Sequence, residues 1–176
     1  ISFGSAVVFE SADSEYNSVS FDSSNNKVVI AYRDRGNSNY GTAIVGTVSG
    51  TSISFGTPVV FGSATVVDNS ATYDSTSNKV VIAYRDISNS SYGTAIVGTV
   101  SGTSISFGSA AVFESAASNY ISATYDTNAE KIVIAYADGG NSNYGTAIVG
   151  TVSGTSISFG SSVVFETALP FFISAT

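Results

Sequence analysis

The chain has 176 residues and a net charge of −7, with 43% hydrophobic and only 11% charged side chains, so it has the apolar matter for a packed core and too little charge for a disordered, solvated segment. Its basic residues, Lys27, Arg33, Arg35, Lys79, Arg85 and Lys131, form no run, which argues against binding to nucleic acid or an anionic membrane. Cys and His are absent, excluding disulfides, thiolate and imidazole metal sites, cysteine nucleophiles and histidine general bases.

Residues 1–10, Ile-Ser-Phe-Gly-Ser-Ala-Val-Val-Phe-Glu, predict an outer strand that closes a unit begun upstream. A polar loop at 11–16 leads to a short strand of small residues at 17–22, suited to a place crowded by equivalents around a central axis. The turn Ser23-Ser24-Asn25-Asn26 precedes residues 27–34, a β-branched run that reads as a buried strand. A loop rich in Asn, Ser and Gly at 35–39 enters the most regular stretch of the chain.

That stretch, Tyr-Gly-Thr-Ala-Ile-Val-Gly-Thr-Val-Ser-Gly-Thr-Ser-Ile-Ser-Phe-Gly, occurs unchanged at 40–56, 92–108 and 144–160, 52 residues apart. The chain is therefore a tandem array. Residues 42–48 carry apolar side chains on both alternating faces, as a strand does when something packs on each side. Gly50 supplies the positive φ of a tight hairpin, and Gly56 reads as a bulge past which an outer strand continues into Val59, Val60 and Phe61. Pro58 is tolerable there, since an edge position can lack an N–H.

Each unit thus holds four strands: a small inner one, two buried ones and an outer one. Full units fall at 17–62, 69–114 and 121–166, with an outer strand at 1–10 and an inner strand at 172–176, all in one tandem-repeat domain over 1–176. No segment has a helical period. The expected fold is all-β, a β-propeller-type array of four-stranded antiparallel blades forming an incomplete ring. Closed rings have about 4 to 8 blades, so other copies, or other parts of a longer chain, are expected to complete this one and cover its terminal apolar faces.

The pattern Tyr-Asp-x-x-x-Asn-Lys-Val-Val-Ile-Ala-Tyr-x-Asp leading into the invariant block, clearest over 73–108, resembles the repeat of structural and tail-fibre-like proteins of marine bacteriophages. The likeness covers essentially the whole chain. It implies a virion or extracellular component built of propeller-like modules, some contacting the host surface; similar blades occur in bacterial surface proteins. It carries no site motif.

Variation between units is concentrated at 13–16, 65–68, 117–120 and 169–172, and at the end of the second strand, where Arg33 and Arg85 face Ala137. In an up-and-down unit the loop after the outer strand and the loop between the second and third strands emerge on one face, where a scaffold carries binding function. Tyr16, Tyr120 and Phe172 are expected to contact a host-surface glycan or protein there, with Arg33, Asn39, Arg85 and Asn143 as hydrogen-bonding partners. The repeated Tyr40, Tyr92 and Tyr144 read as rings packed on the adjacent unit.

Asp22, Asp74 and Asp126, like Asp34, Asp86 and Asp138, read as turn acids bonding the backbone two residues on, with calcium coordination as a lesser alternative. No catalytic residue, cofactor or metal site is expected. The acids recur with the units, so none is singled out as a glycosidase pair requires, and no Gly-rich phosphate loop opens a helix. The expected function is a structural or receptor-contacting virion module, a tail or fibre component. The alternatives are an assembly module without ligand and a bacterial lectin-like adhesin.

Overall fold

A computed structural model describes residues 3–176. They form one open, antiparallel network of 13 strands, with a single turn of 3-10 helix at Arg35–Asn37. β1 (Ser14–Asp22), β2 (Lys27–Asp34) and β3 (Tyr40–Ser49) make a meander in which Val29 lies opposite both Ser20 and Val45. β4 (Ser52–Phe55) folds back on the far end of β3 through the turn at Gly50, where φ is 60°. β5 (Val59–Asp74) pairs with the near end of β3 by its first half and with β6 (Lys79–Asp86) by its second. Between β4 and β5 the Gly56 N–H donates to the Val45 carbonyl at 2.9 Å, so the outer ladder carries on through the irregularity expected there.

The same pairings follow in β7 (Tyr92–Ser101), β8 (Ser104–Phe107) and β9 (Ala111–Asp126), then in β10 (Lys131–Asp138), β11 (Tyr144–Ser153), β12 (Ser156–Phe159) and β13 (Val163–Glu166). Val81 lies opposite Val97, and Val133 opposite Val149, in the register of Val29 and Val45.

Two connections differ from expectation. Residues 63–68 and 115–120 are not loops: β5 and β9 are single 16-residue strands that leave one layer and enter the next. Their hydrogen bonds find a partner on either side of a corner, so the chain bends without leaving the sheet. Residues 3–10, expected as an outer strand, carry no strand, because no third strand lies beside them to complete a ladder; residues 172–176 likewise carry none. Ile1 and Ser2 fall outside the described residues.

The layers stack face to face, which is why the central strands are apolar on both sides. Val29, Ala31, Ala43 and Val45 share a core with Phe61, Ile82, Tyr84 and Ile96. Val81, Ala83, Ala95 and Val97 do the same with Phe113, Ile132, Tyr136 and Ile148. The ring of Phe61 meets Tyr84 edge-on at 5.2 Å, and Phe113 meets Tyr136 at 5.1 Å. The tyrosines that pack between layers are thus Tyr84 and Tyr136, near the end of the second strand of their units; their counterpart Tyr32 packs on Phe9, and Tyr40, Tyr92 and Tyr144 are half-buried at the mouth of the third strand. Burial, reinforced by nearby carboxylates, pushes the three packed hydroxyls well above the ordinary tyrosine range.

Past the short fourth strands the layers touch backbone to backbone: a Cβ on Gly56 or Gly108 would lie 1.9 Å from the carbonyl oxygen of Thr103 or Thr155. Along the first strands of the units, the Ala71 N–H donates to Ser18 Oγ and the Ala123 N–H to Ser70 Oγ, both at 2.9 Å. Small residues there let successive inner strands approach this closely. Among the described residues no helix is long and apolar enough to cross a membrane.

Candidate functional site

Tyr16, Asp68, Tyr120 and Phe172 hold the same place in successive units and share an unusual backbone. Their φ angles are 52°, 54°, 54° and 62°, the left-handed region that non-glycine residues enter at a cost of about 1–2 kcal/mol. At the first three, the ladder slips: between Glu15 and Ser18, between Val67 and Ser70, and opposite the step from Ala135 to Ala137. An extra residue at each corner bulges the strand and turns its side chain out of the sheet. With Asn17, Asn69, Ile121 and Ile173, which follow them, and with Arg85 and Asn119, the four corners line one depression of about 540 Å³.

Polar groups supply part of the lining of this depression. Arg85 donates through Nη1 to Asn119 Oδ1, and its Nη2 lies 3.6 Å from the Asp68 carboxylate. Asp68 also accepts the backbone N–H of Tyr120. Burial raises the Asp68 carboxyl above its usual range, and the Arg85 charge and that N–H bring it only part of the way back. Asn69 is 8% exposed, and neither its amide nitrogen nor its oxygen has a protein partner; Arg85 Nε has none either. Each such group costs about 1–3 kcal/mol when left unpaired, so the folded chain holds hydrogen-bonding capacity here that its own residues do not use. Aromatic rings supply another part of the lining, with the Tyr120 ring 5.9 Å from that of Phe172.

Of the residues expected to bind, Tyr16, Arg85, Tyr120 and Phe172 are brought together here. Arg33 stands one step back: it pairs with Glu15, and its guanidinium carbon lies 4.9 Å over the Tyr16 ring. Arg35 takes the other Glu15 oxygen at 2.9 Å. Asn39 and Asn143 do not line the depression. They shape the turn between the second and third strands, at φ of 63° and 58°; the Asn39 carbonyl accepts the Val66 N–H at 3.2 Å, and the Asn143 N–H donates to the Asp138 carbonyl at 2.7 Å.

Asn17, Asn69, Asn119, Ile121 and Ile173 also line the depression and were not among the residues expected to bind. Asp68 shares a repeat column with Tyr16 and Tyr120, and the residue after each corner forms the next column, so the alignment of units held the signal. The turn acids are engaged locally: Asp22 accepts the N–H groups of Ser24 and Asn25 at 3.1 and 3.0 Å, and Asp74 those of Thr76 and Ser77 at 3.0 Å each. The N–H groups of Ala129 and then Asn128 hold the Asp126 carboxyl below its usual range.

Comparison with protein-family models, with curated proteins and with solved structures gives no match for this chain. What the site can do rests on its own chemistry: stacking faces, one carboxylate–guanidinium pair, and buried amide donors and acceptors.

Proposed function

We propose that the protein is a propeller-type structural module of a virion, a tail or fibre component, whose corner depression binds a glycan of the host surface. The observation that carries this reading is the convergence of four repeat-equivalent corners, three of them aromatic, on a depression also lined by Asn69, whose amide has no protein partner. A pyranose presents a C–H face and a rim of hydroxyls. The rings of Tyr16, Tyr120 and Phe172 suit the face; Asp68 suits hydroxyl donors, and Arg85 and Asn69 suit hydroxyl acceptors. Because Asp68 already balances Arg85, the site favours a neutral sugar over an acidic one.

The radial reading is supported by the close approach of successive inner strands through Ser18, Ser70 and Ser122, and the virion assignment by the resemblance of the repeat. An aromatic contact is worth about 0.5–1.5 kcal/mol beyond its area, so one site binds weakly and many copies on one particle supply avidity. A glycan array tests this. The wild-type chain is expected to retain a neutral sugar, and Tyr120→Ala to lose about tenfold or more of that signal. Silence of the wild-type chain on every sugar would leave the assembly role without the ligand.

A further inference from the structure

Within the chain, each layer covers the next through one donor set and one acceptor set. Phe61 meets Tyr84 and Phe107, and Phe113 meets Tyr136 and Phe159. The third layer repeats the donor set as Val133, Ala135, Ala147, Val149 and Phe165, with no layer over it. Phe165 is 57% exposed where Phe61 and Phe113 are 7%, and Val149 is 45% exposed where Val97 is 0%. The first layer repeats the acceptor set as Ile30, Tyr32, Ile44, Val48 and Phe55, and here Val48 is 50% exposed where Val100 is 7%.

The acceptor seat is held by a stand-in. The Phe9 ring lies 5.2 Å from Tyr32 and 6.0 Å from Phe55, and the Tyr32 hydroxyl donates to Glu10 at 3.3 Å. Between the second and third layers the Tyr136 hydroxyl donates to Glu114 at 3.1 Å in the same way. Residues 1–10 and 157–166 differ only at Ala6 against Ser162. Yet 3–10 sit on the seat without a ladder, whereas β13 is paired to β11 with a whole layer behind it.

We infer that the open face of the third layer docks on the first layer of a second copy of this chain, its Phe165 and Glu166 displacing Phe9 and Glu10 from Tyr32. The exchange trades like for like in side-chain contacts and adds burial of the two exposed faces. The far end yields in the same manner. The Ala175 N–H on Ser122 Oγ, at 2.9 Å, keeps the place that the incoming β1 takes through its Val19 N–H, as the Ala71 N–H does on Ser18. The contact is head to tail, so it repeats from copy to copy and closes into a ring where the rotation allows.

Sedimentation across a concentration series tests the exchange, with Phe165→Glu and Phe9→Glu beside the wild-type chain of 17.9 kDa. Burying one phenylalanine ring changes an equilibrium by roughly ten- to hundredfold. Phe165→Glu is therefore expected to weaken association at least about tenfold, and Phe9→Glu, which frees the seat, to strengthen it. Phe165 lies outside every interior contact between layers, so its replacement leaves the fold in place, as unchanged circular dichroism would show. A monomer at every concentration in both the wild-type chain and Phe9→Glu, or equal weakening by the two variants, overturns the inference.

Discussion

Asp68 and Asp126 carry the same carboxyl group and are pushed in opposite directions. Asp126 is fully exposed and accepts two turn N–H groups, so it holds its proton less readily in the folded chain than in the unfolded one. Its stabilising contribution is present above the unfolded value of about 3.9 and is lost as pH falls through the lower folded value. Asp126→Asn is therefore expected to flatten the acid limb of a urea-denaturation series below about pH 4; an unchanged limb would contradict the turn's role. Asp68 is desolvated and keeps its proton to higher pH. Glycan binding that uses its ionised form should be full at neutral pH and fade in acid earlier than an ordinary carboxylate would allow, and Asp68→Asn should remove that acid limb. Tyr32, Tyr84 and Tyr136 behave oppositely at the alkaline end. Above about pH 10 the unfolded chain ionises them and the folded chain does not, so stability falls as pH rises. Of the ten tyrosines these three should show tyrosinate absorbance only as the sheet unfolds.

At the scale of elements, equal sequences in unequal places give the sharpest contrasts. A Cβ on Gly108 meets the Thr155 carbonyl oxygen at 1.9 Å, while one on Gly160 meets nothing nearer than the Val149 carbonyl oxygen at 3.9 Å. Gly108→Ala should cost about 1–3 kcal/mol or more, with Gly160→Ala near neutral in thermal denaturation. Phe113→Ala, which empties an interlayer core, should cost about 3–5 kcal/mol, and Phe165→Ala far less. Equal costs within either pair would mean that the layers do not cover one another as described. The strands themselves were legible because β-branched runs and the Gly50 hairpin are local signals. The corners were not. A polar stretch such as Asp13-Ser14-Glu15 reads as a loop, and nothing local distinguishes a strand that bends at Asp68 and goes on pairing from one that ends there.

For the whole molecule, three layers in equivalent contact create at their corners a place that no single layer possesses. Residues 104 or 156 apart, Tyr16 with Tyr120 and Phe172, come to line one depression. The aromatic residues were visible in sequence as a varying column. Their convergence was not, because it depends on how successive layers stack and on left-handed corners that no glycine announces. Asn39 and Asn143 lie outside the depression because sharing a face with the corners does not bring a residue within reach of them. The central claim is that this depression is a recognition site. Titrating a neutral sugar into isotope-labelled protein and following the side-chain resonances of Asn69, Asn119 and Arg85 by NMR tests it most directly. Saturable shifts are expected, concentrated at those three groups and at the rings of Tyr16 and Tyr120. Shifts absent there, or confined to other surfaces, would contradict it.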